Sequence, residues 1–354
     1  MAAYTTINDP SAHFQTKLYT GNGTDDTAIT NDGNSDLQPD WIWIKRRSST
    51  EDHQLADSTR GVTKWLHSNL TNAESTTTAR LKSFDTDGFT LGDTGSTNNS
   101  GDTFVAWQWK ANGGTTSSNT DGSITSTVQA NTDAGFSIVT WTGNGTSGAT
   151  VGHGLGVKPN HIIIRNRSTA SINWTNYVEE IGATKFLQLN VTNAGTTATN
   201  RFNDTEPTTS VFSLGDSSRS NGNTSDMIAY CFAEKQGYSK FGKYTGNGNA
   251  NGTFVYTGFK PAFVITKASS SASSWMMYDH KRLGYNPIDV ALRANGSDEE
   301  KTSLISGDDI DLLSNGFKVR NSNATINGSG TTYIYIAFAE NPFVTSTGTP
   351  TTAR

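Results

Sequence analysis

Two Asp–Arg pairs are the residues whose types and spacing most suggest chemistry in this sequence. Asp57 and Arg60 lie three positions apart after an apolar stretch. Asp279 and Arg282 repeat that spacing. A carboxylate and a guanidinium this close can brace a loop as an ion pair, or can together bind the hydroxyl groups of a sugar. We favour the structural ion pair, because Val178 stands at the matching position between the two pairs, where a third active site would need a carboxylate.

Three tryptophans near predicted loops are the other candidates for a ligand site: Trp65, Trp174 and Trp275. An exposed indole on the rim of a β-sandwich can stack against a sugar ring. Core packing is the favoured alternative for these three side chains. Four further tryptophans alternate along predicted strands, which is typical of a core or an interface: Trp41, Trp43, Trp107 and Trp109.

The acidic and nucleophilic residues form no recognisable catalytic or metal-binding motif. Residues 308–311 are the densest acidic cluster and could supply oxygen ligands to Ca²⁺, but their spacing is not that of an EF-hand, and a solvated loop is the favoured interpretation. Residues 179–180 and 298–300 could be glycosidase carboxylate pairs, although such pairs are common. Cys231 lies in an apolar run and His153 in a Gly-rich turn, which indicates a buried thiol and a turn histidine. We therefore expect no enzymatic activity, no bound metal and no cofactor.

The composition favours short strands joined by polar turns. Charged residues make up 17% and aromatic residues 10% of the 354 residues. That aromatic content is unusual for a disordered chain, while abundant Thr favours strands and abundant Gly and Asn favour turns. The net charge of −5 argues against nucleic acid as a partner, and we interpret the basic residues 45–47 as a solvated strand end. No stretch approaches the roughly 18 apolar residues that a membrane-spanning helix needs, so we expect no membrane insertion.

Three copies of one sequence pattern run through the chain. Each begins with an aromatic–Thr–Gly–Asn–Gly word, at residues 19–23, 141–145 and 244–248. A proline and an apolar strand follow each word, and a basic residue stands six positions after each proline: Lys45, Arg165 and Lys267. Each copy closes on an apolar–Ala–aromatic strand, which we align as residues 105–107, 228–230 and 336–338. Two further landmarks lie between the apolar strand and the closing strand, at residues 53–57, 174–178 and 275–279 and at residues 88–91, 211–214 and 316–319. Five landmarks in one order, three times, predict a repeated unit.

The predicted fold class is all-β, with three tandem β-sandwich repeats of the jelly-roll or concanavalin-like type. Continuous apolar runs such as residues 41–44 suit strands whose two faces are both covered. Because each unit is long enough to have its own core, we expect separate domains arranged like beads. The predicted boundaries are an N-terminal attachment arm (1–13), repeat 1 (14–112), a flexible Gly/Ser/Thr linker (113–134), repeat 2 (135–236), repeat 3 (237–343) and a flexible C-terminal tail (344–354).

The sequence resembles a group of marine bacteriophage virion proteins that are typically assigned to tail fibres or related appendages. The resemblance covers about residues 14–343 and rests on these words: residues 19–23, 135–145, 151–156, 228–234, 237–242 and 335–340. It implies a concanavalin-like or jelly-roll sandwich in each unit, synthesis in the host bacterial cytoplasm and a final place on the virion surface. It implies no defined catalytic residues.

Tandem sandwiches with varied polar loops, together with this resemblance, predict a phage virion structural protein that binds a partner through its loops. We expect a tail fibre or a tail or baseplate appendage that binds a host-surface glycan or lipopolysaccharide. A capsid decoration, head-fibre or collar protein with a purely structural role is the alternative, and an envelope-polysaccharide depolymerase is a more remote one. The expected protein partners are other virion proteins and further copies of this chain in a homotrimer.

Overall fold

The computed structural model describes residues 5–300 and 308–351, and its fold is all-β with a few short helices. The strands lie in three consecutive parts of the chain, which we name the first segment (residues 14–109), the second segment (residues 117–232) and the third segment (residues 239–342). Within the described residues, no helix is long and apolar enough to cross a membrane.

The first segment contains β1 (Phe14–Thr20), β2 (Thr27–Thr30), β3 (Trp41–Arg46), β4 (Gln54–Asp57), β5 (Lys64–Trp65), β6 (Ser75–Thr76), β7 (Leu81–Asp85), β8 (Gly88–Leu91), α1 (Gly95–Asn98) and β9 (Thr103–Trp109). The second contains β10 (Ser117–Asn119), β11 (Ser126–Asn131), β12 (Phe136–Thr142), β13 (Ala149–Gly152), β14 (His161–Asn166), β15 (Thr175–Val178), β16 (Lys185–Phe186), β17 (Thr196–Thr197), α2 (Thr199–Phe202), β18 (Val211–Leu214), α3 (Ser218–Asn221) and β19 (Asp226–Phe232). The third contains β20 (Ser239–Thr245), β21 (Phe254–Tyr256), β22 (Phe259–Ala268), β23 (Met276–Asp279), β24 (Leu292–Arg293), β25 (Ile310–Leu313), β26 (Gly316–Val319), α4 (Ala324–Asn327) and β27 (Thr332–Pro342). Single 3₁₀ turns lie at Pro10–Ala12 and Glu179–Ile181.

Each segment forms one larger antiparallel sheet in which the first long strand pairs with the last. The strand orders are β1-β9-β3-β4, β10-β11-β12-β19-β14-β15 and β20-β27-β22-β23-β24. Apart from the added edge strands β10, β11 and β24, the three orders correspond. The pairing registers then identify corresponding residues, for example the three aromatic residues Trp109, Phe232 and Phe338.

The outer face of each larger sheet is covered by a smaller sheet of the same segment. These smaller sheets are β2-β8-β7, β13-β18 and β21-β26-β25. Side chains alternate along a strand, so Ile42 and Ile44 of β3 join the outer core of the first segment, whereas Trp41 and Trp43 face the opposite way. The expectation that these apolar strands are covered on both faces is confirmed.

The inner faces of the three larger sheets meet in one central aromatic core. Trp109 lies 6.5 Å from Phe232 and 5.6 Å from Phe338, measured between ring centroids, and Phe232 lies 5.8 Å from Phe338. Three corresponding side chains therefore contact one another, one from each segment. Each segment also has an outer core of its own, as predicted. The predicted arrangement of the units as separate beads is wrong, because burying the inner faces against each other removes large aromatic surfaces from water.

Hydrogen bonds between corresponding positions close the three segments into a ring. Trp174 donates its Nε1–H to the carbonyl of His67 at 2.9 Å, and Trp275 donates to the carbonyl of Gln188 at 2.9 Å. His53 occupies the corresponding position of the first segment, and its Nε2 lies 3.0 Å from the carbonyl of Arg293. Because the Trp43 Nε1–H donates to Nδ1 of His53, the proton of this imidazole belongs on Nε2, and it completes the third bond.

The predicted linker at 113–134 is not a flexible tether, because it contributes β10 and β11 to the sheet of the second segment. Its start is fixed by the buried carboxylate of Asp40, which accepts hydrogen bonds from the N–H groups of Ala111, Gly113 and Gly114 at 2.7 to 2.9 Å. Ser and Thr are compatible with strands as well as with linkers, so composition alone did not separate the two.

The described parts of the predicted arm and tail also pack on the body of the protein. Ile7 belongs to the central core, and the hydroxyl of Thr5 donates to the carbonyl of Gln236 at 2.9 Å. Asn8 donates its side-chain amide to the hydroxyl of Ser346 at 2.8 Å, which joins the two ends of the described chain. Residues 1–4 and 352–354 of the predicted arm and tail lie outside the described residues.

The closing strand of the third copy begins two residues earlier than the sequence pattern predicts. Tyr19, Trp141 and Tyr244 pair with Phe104, Met227 and Tyr333, so Trp107 and Tyr230 correspond to Ile336 and not to Phe338. A shift of two residues preserves the alternation of a strand, and for this reason the sequence pattern could not reveal it.

The aromatic–Thr–Gly–Asn–Gly word has a structural explanation. A Cβ on its first glycine (Gly21, Gly143 or Gly246) would lie 2.3 to 2.4 Å from a backbone oxygen of the turn after α1, α3 or α4. The next residue of each word (Asn22, Asn144 or Asn247) donates its N–H to a buried Asn side chain in that helix, at 2.9 to 3.0 Å. The motif therefore connects the first long strand of each segment to the short helix that precedes its last strand.

Candidate functional site

The two Asp–Arg pairs are buried ion pairs, one within the first segment and one within the third. Arg60 donates to Asp57 at 2.6 Å, and Arg282 donates to Asp279 at 2.5 Å. Burial alone would lower the pKa of Arg282, but Asp279 raises it above its ordinary value. All four side chains are at most 1% exposed, so they cannot reach a ligand in this structure. The structural interpretation is confirmed, and the sugar-binding alternative is wrong for this conformation.

Each pair is connected to the last strand of another segment. Tyr230 of β19 donates its hydroxyl to Asp57 at 2.8 Å, and the corresponding Trp107 of β9 donates its Nε1–H to Asp279 at 3.1 Å. A second carboxylate extends each cluster: Glu74 binds both Arg60 and Arg167, and Glu300 binds both Arg282 and Arg47. These clusters hold the first segment to the second and to the third. Val178 and Ile181 take the places of the aspartate and arginine in the second segment, where they contribute to the central core.

The three tryptophans proposed for sugar stacking are all fully buried. Trp174 and Trp275 bind the carbonyls of neighbouring segments, and Trp65 lies in the outer core of the first segment with Arg80 against its ring. No ring face of these residues is open to solvent, so the favoured alternative of core packing is confirmed. Trp41, Trp43, Trp107 and Trp109 belong to the central core, as expected.

The basic residues 45–47 are not a solvated strand end. Lys45 is fully buried and its Nζ donates to the carbonyl of Arg46 at 2.7 Å, and burial lowers its pKa to about 8. The corresponding Lys267 is also buried, with its pKa lowered to about 8, and it donates to the carbonyl of Thr192 in the second segment at 3.2 Å. Arg165, the third of these basic residues, donates to the carbonyl of Asn72 in the first segment. Two of the three basic residues that follow the prolines thus bind a loop of another segment.

The remaining sequence candidates also have structural surroundings. Asp308 is buried and burial raises its pKa to about 7, so this part of the acidic cluster is not solvated as expected. Cys231 is fully buried, as expected, and burial raises the pKa of its thiol. His153 is buried in its turn and its Nδ1 accepts from the N–H of Leu155 at 3.2 Å. In the part of the chain that the structure describes, no three His, Cys, Asp or Glu side chains are grouped to hold a metal ion.

The proposed glycosidase carboxylates are engaged in ion pairs. Glu180 pairs with Lys243 at 3.1 Å, and Glu179 pairs with Lys158 at 3.0 Å. Glu300 belongs to the buried cluster with Arg282 described above. The ion pairs of Glu180 and Glu300 connect segments, whereas that of Glu179 lies within the second segment. These three side chains do not present two free carboxylates across a cleft.

The exposed aromatic side chains are concentrated on the third segment and directly after it. Among the described residues, the large aromatic side chains with substantial exposure are Phe254 (44%), Tyr256 (60%), Tyr285 (68%) and Phe343 (36%). The aromatic residues of the other two segments are mostly directed into the cores. An aromatic ring that remains exposed to water contributes little to folding. A surface with several such rings is therefore a candidate binding surface.

A groove lies between the first and third segments, beside Tyr285. It consists of two adjoining depressions with volumes of about 230 and 180 Å³ that share His280 and Glu340. We name it the 1–3 groove and define it by Gln15, Asp32, Asn34, His280, Lys281, Tyr285, Glu340 and Asn341. The two walls are connected by an ion pair between Lys281 and Asp32 at 3.3 Å.

The side chains of the 1–3 groove combine hydrogen-bonding groups of both kinds with one open aromatic ring. Asn34 and Asn341 can each donate and accept. Nδ1–H of His280 donates to the carbonyl of Ala262 at 3.1 Å, so this imidazole can meet a ligand only through Nε2. Glu340 is paired with Lys260 at 2.8 Å, and Asp32 contacts both Lys17 and Lys281, so the charges are nearly balanced. Such a surface suits a polar, uncharged ligand with many hydroxyl groups better than a strongly charged one.

The fold and this surface define an all-β protein of three interlocked segments with a groove at one junction. The chain belongs to the family described as a domain of unknown function, DUF7483, whose model matches residues 9–342. No curated protein and no solved structure gives a significant match. One family model thus spans all three segments, in agreement with their common core.

Sequence reasoning missed every residue of the 1–3 groove. The groove combines residues 11–34 with residues 262–341, and nothing in either stretch indicates that they meet. Tyr285 was the available signal, because it lies among Gly284, Asn286 and Pro287, where a buried ring is not expected.

Proposed function

We propose that this protein is a virion structural protein of a bacteriophage that binds a host-surface glycan in the 1–3 groove. The observation that carries the glycan proposal is Tyr285, a largely exposed ring beside a groove of amide, imidazole and balanced charged groups. A pyranose offers an apolar C–H face for stacking on such a ring and hydroxyl groups for the polar side chains. The virion assignment rests on the resemblance of the sequence to marine phage appendage proteins.

We also propose the finer description of the fold: three tandem copies of one sandwich unit of jelly-roll or concanavalin-like type. Two observations support a common unit. The strand orders of the three segments correspond, and the aromatic–Thr–Gly–Asn–Gly motif binds a buried Asn side chain in each segment. The units share a core, so they form one body. A homotrimer held by the inner sheet faces would have to open this core, and any assembly with other copies or other virion proteins uses the outer surface.

Binding can be tested by calorimetric titration of the full chain with soluble oligosaccharides released from the lipopolysaccharide and capsules of marine bacteria. We expect binding to at least one neutral oligosaccharide, and Tyr285→Ala should weaken it at least about tenfold through the lost stacking. Tyr256→Ala is the matched control, because that tyrosine is similarly exposed but lies outside the groove. It should leave the affinity per chain unchanged.

Two results would contradict the glycan proposal. One is the absence of binding to any oligosaccharide, which would favour a purely structural decoration role. The other is binding that is equally strong in Tyr285→Ala and the wild type. Both variants should unfold at the wild-type midpoint, since neither ring is packed in a core.

A further inference from the structure

Among the described residues, the outer sheet of the third segment ends in an aromatic strand whose outer edge has no neighbouring strand. β21 is the edge strand of the sheet β21-β26-β25. Its central residue Val255 is buried in the outer core, whereas Phe254 and Tyr256 project from the opposite face. The carbonyl of Thr253 accepts from Val319 and the N–H of Thr257 donates to Asn315, both at 3.0 Å.

Those two hydrogen bonds fix the direction of the intervening peptide groups. In an antiparallel pair the residues alternate between facing the neighbouring strand and facing away from it. Since residues 253 and 257 face β26, Val255 does so as well, and the N–H and C=O groups of Phe254 and Tyr256 face outward along the open edge. This edge offers two donors and two acceptors beside two exposed rings.

The corresponding edges of the other segments show that the position can accept a strand. The registers with Phe89, Phe212 and Phe317 make Ile29 of β2 and Val151 of β13 the counterparts of Val255. In the second segment, residues 122–124 cover this edge: Ile124 donates to the carbonyl of Thr150 at 3.0 Å and forms a parallel bridge with Val151.

In the first segment the same edge ends its sheet, as in the third, but its outward residues are small. Ala28 and Thr30 occupy the positions of Phe254 and Tyr256. The third segment therefore differs from the second in having no covering strand among the described residues, and from the first in carrying large aromatic rings. Natural proteins usually shield an exposed strand edge. An open edge that carries large aromatic side chains therefore suggests that another protein chain covers it.

We propose that β21 pairs antiparallel with β21 of a second copy of this chain, on a twofold axis through Val255. The strand is complementary to itself: the pairing sets Phe254 opposite Tyr256 of the partner subunit, and the outward peptide groups of these residues exchange hydrogen bonds. The aromatic rings then form two identical cross-strand pairs on one face. Residues 249–257 contain no charged side chain, so two copies of this strand do not repel each other.

The dimer can be tested by sedimentation of the full chain from low to high micromolar concentration. We expect the wild type to shift from monomer to dimer over this range. The variant Phe254→Ala with Tyr256→Thr copies the first segment and should stay monomeric with an unchanged unfolding midpoint. Tyr285→Ala is the control and should dimerise like the wild type. Amide exchange at residues 254 and 256 should slow as the concentration rises, while the amide of Val255 is slow throughout.

A wild type that remains monomeric at high micromolar concentration would overturn the proposal. A dimer that survives in the double variant, or that protects amides elsewhere and not at residues 254 and 256, would overturn it as well. The proposal does not depend on glycan binding, because Tyr285 and the 1–3 groove lie outside β21, and each can fail without the other.

Discussion

The aromatic residues at the centre of the molecule and those on the outside of the third segment differ in how the segments share them. Trp109, Phe232 and Phe338 occupy one position three times and contact one another. Phe254, by contrast, has Ala28 and Thr150 at its corresponding positions, so its ring belongs to one segment alone. The shared rings are explained by folding. Phe254 is exposed and has no aromatic counterpart in the other segments, so its ring is better explained by binding to another molecule.

Removing a central ring should produce the largest loss of stability. Trp109 contacts rings of all three segments, including Trp41 at 4.5 Å between centroids. Trp109→Ala should therefore reduce the free energy of unfolding by about 3–5 kcal/mol. Trp109→Phe is the matched control, because phenylalanine is the residue at the two corresponding positions, and it should lose much less. Urea unfolding measures both, and equal losses would show that the ring does not connect the segments.

Breaking one buried ion pair should have the next largest effect. Asp279→Val leaves Arg282 charged and buried with Glu300 as its remaining carboxylate partner, and it should reduce the free energy of unfolding by about 3 kcal/mol. The double variant Asp279→Val with Arg282→Ile copies Val178 and Ile181 of the second segment. It should recover most of that loss, although Trp107 loses its acceptor. If urea unfolding finds the double variant less stable than the single one, the apolar junction is not equivalent to the ionic ones.

A smaller, pH-dependent effect is expected at the position of His161, which corresponds to Trp41 and Phe263. Its imidazole is buried, its Nε2 has no hydrogen-bond partner among the described residues, and burial lowers its pKa from 6.5 to about 3. Between these two values the unfolded chain binds more protons than the folded one, so stability falls as the pH falls below 6.5.

His161→Phe removes this dependence by copying Phe263. Relative to the variant, the wild type should lose about 2 kcal/mol of unfolding free energy between pH 7.5 and pH 5, from 1.4 kcal/mol per unit below 6.5. Urea unfolding at the two pH values tests this difference. A constant difference between wild type and variant would mean that the imidazole takes up its proton over the same pH range in the folded and the unfolded protein. Other buried histidines contribute equally to both proteins and cancel.

The sequence predicted the strands and the structural roles well, because these follow from local patterns. The run at Trp41 and Trp43 indicated a strand covered on both faces, and the Asp57–Arg60 spacing indicated an ion pair. The local pattern could not show which segment covers each apolar strand face. An apolar strand face has the same sequence pattern whether its own segment or another segment covers it. The three outer cores could therefore be predicted, whereas the common core between the segments could not.

The candidate site could not be predicted for a related reason. The 1–3 groove is formed by Asp32 and Asn34 from one end of the chain and His280 and Glu340 from the other. Polar side chains in turns have no periodicity that would show their partners. The predicted ligand residues were instead the large and charged ones, such as Trp174 and Arg60, whose size and charge are used inside the protein.

The most direct test of the central claim, that three segments form one body around a common aromatic core, is differential scanning calorimetry of the full chain. We predict a single transition whose calorimetric and van't Hoff enthalpies agree, since no segment can unfold without exposing the rings of the other two. Two or three resolved transitions, or a van't Hoff enthalpy near one third of the calorimetric value, would contradict the claim and restore the picture of independent beads.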